Sequence, residues 1–278
     1  MVIFIPLQGG FGNQLLQITA GIYLKETLNK EIIFDKTLFN QLFKFKNPRK
    51  LEVDFLLNQN QTVDFSLKNL IYRVSKSSKV LEEKDLNDLI IKRLTKNTKL
   101  LVGYFHNIEY VDIAWPKINQ PLIKKLNENS SNSSINKNDI VIHFRGGDYL
   151  INKKTRAFHG LTSLEYYKNA LRQISNNFEI NQVHIVTDTP NFVINFFDEL
   201  KLNLNIVSNG NLFTDLEFIS NAKNVIMSNS SFSWWGAYLA EKKNNAKVIY
   251  PEPWTSQSQQ NPLYFFRPNW IKLTRSFN

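Results

Sequence analysis

Short apolar runs alternate with longer amphipathic stretches along most of the chain. Strand-length runs occur at 2–7, 31–35, 99–105, 139–144, 183–188, 204–208, 224–228 and 247–251. Apolar positions at helical spacing follow several of them, at 12–28, 164–174, 191–201 and 231–243. Continuous apolar strands that alternate with helices are typical of parallel sheets covered on both faces. The pattern therefore predicts an α/β fold.

A polar stretch divides this pattern into two parts. Residues 127–138, with the sequence NENSSNSSINKN, have the composition of an exposed linker. We expect this linker to join an N-terminal α/β domain at 1–130 to a C-terminal α/β domain at 139–278. In open α/β sheets, ligands bind at the carboxyl ends of the strands. The residues that directly follow each strand are therefore the candidates for a site.

The composition is that of an ordinary soluble protein. The chain has 278 residues, of which 42% are hydrophobic and 21% charged. No run approaches the about 18 apolar residues that span a bilayer, and the N-terminus is typical of a first strand and not of a signal peptide. The absence of cysteine excludes disulfides and thiolate metal sites. We expect a cytoplasmic protein.

The chain is basic, with 34 Lys and Arg against 24 Asp and Glu, a formal charge of +10. Nucleic acid, an anionic membrane surface or a phosphate-bearing small ligand would each suit this charge. Basic residues cluster at Lys44, Lys46, Arg49 and Lys50, and at Lys153, Lys154 and Arg156. A solvated lysine-rich surface explains each cluster about as well. Because no nucleic-acid-binding motif accompanies them, we predict that the chain does not bind nucleic acid.

The sequence HFRGGDY at 143–149 follows the fourth apolar run. Arg145 offers a planar, always charged fork that suits a pair of phosphates. His143 shares its face of the strand, although a lone histidine in a strand is more often a structural core residue. Asp148 is the natural partner for the arginine. The glycine pair between them allows a ligand close to the backbone, so this stretch predicts an anion site.

Helix N-termini follow two other strands. Residues 8–17, QGGFGNQLLQ, combine a glycine-rich turn with a helix that begins near Asn13. The stretch lacks the Walker and dinucleotide patterns, and a plain glycine turn explains it about as well. Asn229, Ser230 and Ser231 are N-cap residue types ahead of a second helix. Either terminus would direct backbone N–H groups at an anion.

Asp215 lies at the start of a further helix, after the run 204–208. Capping of that helix is the default interpretation for an aspartate in this position. The alternative is base recognition, because guanine presents adjacent N–H donors on one edge and a carboxylate accepts both.

Five stretches in this order and spacing resemble glycosyltransferase family 11, the α-1,2-fucosyltransferases. They are GGFGNQLLQ (9–17), HFRGGDY (143–149), FHGLTSLEYYKNAL (158–171), TDLEFIS (214–220) and SNSSFSWWGAYL (228–239). The resemblance implies a GT-B-like fold, in which two Rossmann-type domains with parallel sheets face a central cleft. It also implies transfer of L-fucose from GDP-fucose, with inversion, to the 2-hydroxyl of a terminal galactose. The acceptor would be a glycan of the lipopolysaccharide or O-antigen type.

The resemblance further implies roles for individual residues. Arg145 and two helix N-termini would stabilise the leaving pyrophosphate, so that no metal or other cofactor is required. His143 and Asp215 would hold the guanine, and Asn13 would lie near the fucose or the β-phosphate. The donor-binding residues of the two helix N-termini are Gly10, Gly12, Ser230, Ser231 and Phe232. The candidate general bases are Asp148, His159 and Glu165, and a base is dispensable if the transition state is strongly oxocarbenium-like.

Two positions depart from the family pattern. Gly146 stands where members usually carry a second arginine, and Thr189 stands where a second aspartate is common. The missing charge leaves open a non-catalytic sugar-nucleotide or glycan-binding protein, or a transferase that uses another GDP-sugar. A glycoside hydrolase is not favoured, because no pair of carboxylates is singled out. The basic surface leaves open peripheral contact with anionic lipid at the inner face of the membrane.

Overall fold

The computed structural model describes residues 2–40, 49–74, 80–82, 98–130, 134–256, 262 and 264–276. Lys44 and Lys46 of the first basic cluster lie outside these residues. The chain separates into two compact units, Met1–Leu122 and Ile123–Asn278. No helix in the described part of the chain is both long and apolar enough to cross a membrane.

The first unit contains a parallel sheet of five strands in the order β3-β2-β1-β5-β4. The strands are β1 (Val2–Pro6), β2 (Glu31–Asp35), β3 (Thr62–Val63), β4 (Val80–Glu82) and β5 (Leu100–Val102). The α-helices among the described residues of this unit are α1 (Phe11–Leu28), α2 (Leu67–Val74) and α3 (Ile108–Asn127), the last of which continues past the boundary between the units.

The second unit contains a parallel sheet of six strands in the order β11-β10-β9-β6-β7-β8. The strands are β6 (Ile140–Phe144), β7 (Val183–Thr187), β8 (Leu204–Val207), β9 (Asn224–Ile226), β10 (Lys247–Glu252) and β11 (Ile271–Thr274). The helices are α4 (Gly147–Ile151), α5 (Lys153–His159), α6 (Leu164–Ile174), α7 (Pro190–Phe197), α8 (Leu212–Ser220) and α9 (Ser231–Asn244).

Two parallel sheets with intervening helices confirm the predicted α/β class. Each apolar run that was predicted as a strand contains one. Strands β3, β4 and β11 were not predicted, and they lie at the edges of their sheets. Strands β3 and β4 are only two and three residues long, and in β11 half-buried and exposed residues alternate. None of the three therefore has the continuous apolar run of a buried parallel strand.

The position of β6 in the second sheet decides where its polar end lies. All of its residues are buried, and Ile142 aligns with Ile185 on β7 and with Ile226 on β9. Burial of each apolar side chain in such a strand stabilises the fold by about 1.5–3 kcal/mol. The carboxyl end of β6 therefore lies in the middle of the sheet edge, between the ends of two neighbouring strands.

Candidate functional site

Arg145 follows β6 directly and forms ion pairs with two carboxylates. Its Nη2 lies 2.7 Å from Oδ1 of Asp148, in the first turn of α4, and its Nη1 pairs with Oδ2 of Asp188, which follows β7. Burial alone would lower the pKa of Arg145, but these two carboxylates outweigh that effect and raise it. The guanidinium therefore stays charged, and its carbon lies 5.8 Å from the centre of the Tyr149 ring.

Asp188 joins this ion pair to the backbone at Gly146. Its Oδ1 accepts a hydrogen bond of 3.0 Å from the Gly146 N–H, while Oδ2 faces Arg145. The register explains the contact, because Phe144 on β6 aligns with Thr187 on β7. Asp188 was not predicted as a site residue, although it lies at the carboxyl end of a predicted strand, the position at which ligands bind in such sheets.

Asp215 lies in the first turn of α8 but does not cap it. The cap is Asn211, whose side chain accepts a 2.9 Å hydrogen bond from the Phe213 N–H, so the default interpretation of Asp215 is wrong. Its Oδ1 instead accepts hydrogen bonds from the backbone and side-chain nitrogens of Asn209, at 3.3 Å and 2.9 Å. Burial raises the pKa of Asp215, the Asn209 hydrogen bonds lower it, and the Asp188 charge raises it.

His143 is the penultimate residue of β6, and 5% of its surface is exposed. Its Nδ1 lies 3.0 Å from the Ser228 hydroxyl, and its ring centre lies 5.2 Å from that of Phe232. Burial lowers the pKa of His143 to about 4; the Asp188 charge raises it and the Arg145 charge lowers it further. The imidazole is therefore neutral at pH 7.

The N-terminus of α9 follows β9, the strand that pairs with β6 on the side opposite to β7. Ser230 is its N-cap, as predicted, and the Ser230 hydroxyl accepts a 3.3 Å hydrogen bond from the Phe232 N–H. Ser231 and Phe232 open the helix and are half-buried. Fully buried Trp234 and Trp235 anchor the helix in the core. The first-turn N–H groups, which have no partner within a helix, carry its positive dipole end.

The predicted residues of the glycine turn lie in the first unit. Gly10 is the N-cap of α1, Gly12 is buried, and Asn13 is half-buried in the first turn. Two of the three glutamines in this stretch, Gln14 and Gln17, have a structural role that was not predicted from the sequence. They are fully buried and bind the backbone of the surrounding loops.

Gln14 and Gln17 each bind the backbone at more than one point. The Gln17 side chain accepts from the Gln8 N–H at 2.9 Å and donates to the Gly103 carbonyl at 2.8 Å. The Gln14 amide donates to the carbonyls of Gly9 and Lys50, at 2.9 Å and 2.8 Å. These bonds fix the loops that follow β1 and β5.

The three candidate bases have different surroundings. Asp148 is bound to Arg145. The His159 ring stacks on Tyr149, with ring centres 4.8 Å apart and an angle of 7°. Glu165 is exposed in the first turn of α6. In the described part of the chain, no three His, Asp or Glu side chains form a group that could hold a metal ion.

A sequence model of Glycosyl transferase family 11 matches residues 2–274. Two proteins of Escherichia coli are similar over nearly their whole length. One, O-antigen biosynthesis glycosyltransferase WbnK, is 25% identical over an alignment 302 positions long, which covers 96% of this chain and 99% of that protein. The other, an alpha-1,2-colitosyltransferase, is 24% identical over 293 residues, which cover 99% of both.

Solved structures of two fucosyltransferases overlap with the chain more loosely. NodZ alpha-1,6-fucosyltransferase from Bradyrhizobium, co-crystallized with GDP, has a TM-score of 0.46 and 14% identity over 86% of this chain and 93% of that chain. POFUT1 in complex with GDP-fucose has a TM-score of 0.45 and 11% identity over 90% of this chain and 97% of that chain.

Proposed function

Because the chain belongs to glycosyltransferase family 11, we propose that it transfers L-fucose from GDP-fucose to the 2-hydroxyl of a terminal galactose, with inversion and without a metal. The observation that carries this proposal is the cluster at the carboxyl end of β6. There, Arg145, a neutral His143 and the N-terminus of α9 lie side by side. This cluster combines a fixed cation with donors for an anionic, nucleotide-bearing ligand.

In this proposal, the pyrophosphate of the donor binds at Arg145, and its guanine binds at His143 and Asp215. As the bond between fucose and the β-phosphate breaks, negative charge grows on the leaving GDP and must be stabilised. Arg145 and the first-turn N–H groups of α9 would meet that charge. His143 and Asp215 would bind the guanine, and Asn13 would assist at the fucose or the β-phosphate.

Asp148 is the general base that the contacts favour. It is paired with Arg145 at 2.7 Å, and its side chain is about one third exposed, at 32%. A phosphate that binds Arg145 would compete for the same guanidinium and release the Asp148 carboxylate. The alternatives are less suited, because His159 is stacked on Tyr149 and Glu165 lies exposed on α6.

A second candidate is a transferase with a different GDP-sugar. The similarity to an alpha-1,2-colitosyltransferase favours it, because that name indicates another sugar with the same linkage. The similarity to an O-antigen biosynthesis enzyme supports a glycan acceptor of the O-antigen type. A non-catalytic sugar-nucleotide or glycan-binding protein is the remaining alternative, and an absence of turnover despite nucleotide binding would favour it.

The test of the proposed reaction is a transfer assay with GDP-fucose, GDP-mannose and UDP-galactose as donors. The acceptor is a galactose-terminated disaccharide, and the buffer contains EDTA. We expect release of GDP from GDP-fucose and a product whose new linkage, determined by NMR, is α-1,2. Turnover of UDP-galactose alone, or a strict requirement for a divalent metal, would contradict the proposal.

We also propose that the protein works in the cytoplasm, in peripheral contact with the inner face of the membrane. Lys153, Lys154 and Arg156 on and near the start of α5 are exposed, and anionic lipid attracts such residues. Sedimentation with vesicles tests this contact. We expect more protein to sediment with phosphatidylserine-containing vesicles than with neutral ones, and equal partition would contradict it.

A further inference from the structure

The imidazole of His143 is buried and makes one hydrogen bond within the described residues, between Nδ1 and the Ser228 hydroxyl at 3.0 Å. The serine is even less exposed, at 2%. Its backbone N–H donates to the Ser233 hydroxyl at 3.2 Å, and its carbonyl accepts from the Ser230 N–H at 2.9 Å. The backbone of Ser228 is therefore fixed, and its hydroxyl faces the imidazole.

The direction of this bond follows from hydrogen-bond accounting. A neutral imidazole carries one proton, on Nδ1 or on Nε2. If Nδ1 donated, the Ser228 hydroxyl proton would need another acceptor, and the described residues provide none. A buried donor without an acceptor is unfavourable. If the hydroxyl donates to Nδ1, the serine proton and the lone pair of Nδ1 are both satisfied.

We infer that Ser228 is a positioning residue, which donates its hydroxyl proton to Nδ1 of His143 and thereby keeps the imidazole proton on Nε2. His143 then presents a single N–H donor, for which the described residues of the free protein supply no acceptor. The ring is more than nine-tenths buried, but among the described residues Nε2 is not one of the fully buried side-chain atoms that lack a partner. Nε2 therefore lies where a ligand atom can reach it and accept its hydrogen bond.

The ligand atom that fits this donor is the carbonyl oxygen of a 6-oxopurine. This step rests on the proposed function, in which a guanine nucleotide binds beside His143. Guanine has an acceptor at position 6, whereas adenine has an amino donor there, which would face the Nε2 proton. Asp215 would accept from the N–H groups on the adjacent edge of guanine. Ser228 would therefore set the preference for guanine over adenine without touching the base.

The first test measures the position of the imidazole proton in the unaltered protein. The chain has four histidines, so a nitrogen–proton correlation spectrum of ¹⁵N-histidine-labelled protein at pH 7 resolves four imidazoles. His143→Gln identifies the signals of His143. We expect a protonated Nε2 and an unprotonated Nδ1. A protonated Nδ1 would overturn the inference whether or not the protein binds nucleotides.

The second test compares GDP, inosine diphosphate and ADP by calorimetry. Inosine diphosphate keeps the 6-oxo group and lacks the 2-amino group. We expect Ser228→Ala to weaken binding of GDP and inosine diphosphate by the same factor, roughly tenfold, with little change for ADP. The control is Ser220→Ala, because Ser220 is also buried but donates to the Glu217 carbonyl of its own helix.

The outcomes separate this inference from the proposed function. An equal loss for all three nucleotides in Ser228→Ala would show a purely structural serine and overturn the inference, with the proposed function intact. If the unaltered protein binds no purine nucleotide, the proposed function fails, and the imidazole spectrum still decides the role of Ser228. Ser228→Thr keeps a hydroxyl, and we expect it to restore the preference for 6-oxopurines.

Discussion

A β-carbon placed on Gly146 would lie 2.0 Å from the hydroxyl oxygen of Thr189 and 2.7 Å from its methyl carbon. Thr189 is fixed in turn, because its N–H donates to the Thr187 hydroxyl at 3.1 Å. It therefore fills the space in which any side chain at position 146 would begin. These are the two positions at which the resemblance set this sequence apart, and their contact makes them one local feature.

This contact predicts that Gly146→Ala destabilises the protein, by about 1–3 kcal/mol as for other overpacked sites. Thr189→Ala removes the two closest atoms, so the double variant should be more stable than the sum of the single effects predicts, by about 0.5–3 kcal/mol. Urea unfolding of the four proteins measures the coupling. Additive effects would mean that the two positions are independent.

The matched control is Gly10→Ala, at the N-cap of α1. A β-carbon there would meet no atom within 4 Å, and the backbone is extended with φ −84°. We expect its free energy of unfolding to stay within about 0.5 kcal/mol of the unaltered protein.

The double ion pair of Arg145 predicts that Asp188→Asn destabilises the protein. The amide keeps an oxygen for the Gly146 N–H but loses the charge opposite the guanidinium. We expect a loss of about 1–3 kcal/mol in the free energy of unfolding, because a hydrogen bond to a charged group is lost. The same variant should lower the pKa of Asp215, which the Asp188 charge raises.

The control for this variant is Glu199→Gln in the ion pair with Lys168. The Glu199 side chain is 69% exposed, and exposed pairs typically contribute about 0–1 kcal/mol. An equal loss in both variants, measured by urea unfolding, would show that the Arg145 pair is no stronger than a surface pair.

Much of the fold could be predicted from the sequence, because buried parallel strands have continuous apolar runs. The site was predictable where a functional residue follows such a strand, as Arg145 does. Asp188 was missed as its partner because pairing across strands depends on the register, which apolar runs do not specify. The buried glutamines Gln14 and Gln17 were missed because hydrogen bonds from a side chain to a distant backbone have no sequence pattern.

The buried neutral imidazole of His143 predicts that stability rises with pH in a defined window. In the unfolded chain a histidine takes up a proton near its usual pKa of about 6.5, whereas burial lowers the pKa of His143 in the folded protein to about 4. Between these values the unfolded state binds more protons. Stability is therefore lost as the pH falls, with a slope of about 1.4 kcal/mol per pH unit from this residue.

His143→Gln removes this contribution and leaves the other titrating groups in place. We expect the difference in free energy of unfolding between the two proteins to shrink as the pH falls from about 6.5 to about 4. Urea unfolding at half-unit pH intervals measures it. A difference that is constant across this window would mean that His143 titrates normally in the folded protein.

Removal of the buried Gln17 amide should make the loops after β1 and β5 less ordered. Gln17→Met keeps the approximate volume but removes the partner of the Gln8 N–H and of the Gly103 carbonyl. We expect a loss of about 1–3 kcal/mol and faster hydrogen exchange at Gln8. The control is Gln120→Met on the exposed face of α3, for which both quantities should be unchanged.

Calorimetric titration of the protein with GDP-fucose, with and without EDTA, tests the account most directly. We expect binding that is unaffected by EDTA and weakened at least about tenfold in Arg145→Lys, because lysine keeps the charge but loses the planar fork. Exposed Arg172→Lys should bind as the unaltered protein does. Binding that disappears with EDTA, or that is unchanged in Arg145→Lys, would contradict a metal-independent donor site centred on Arg145.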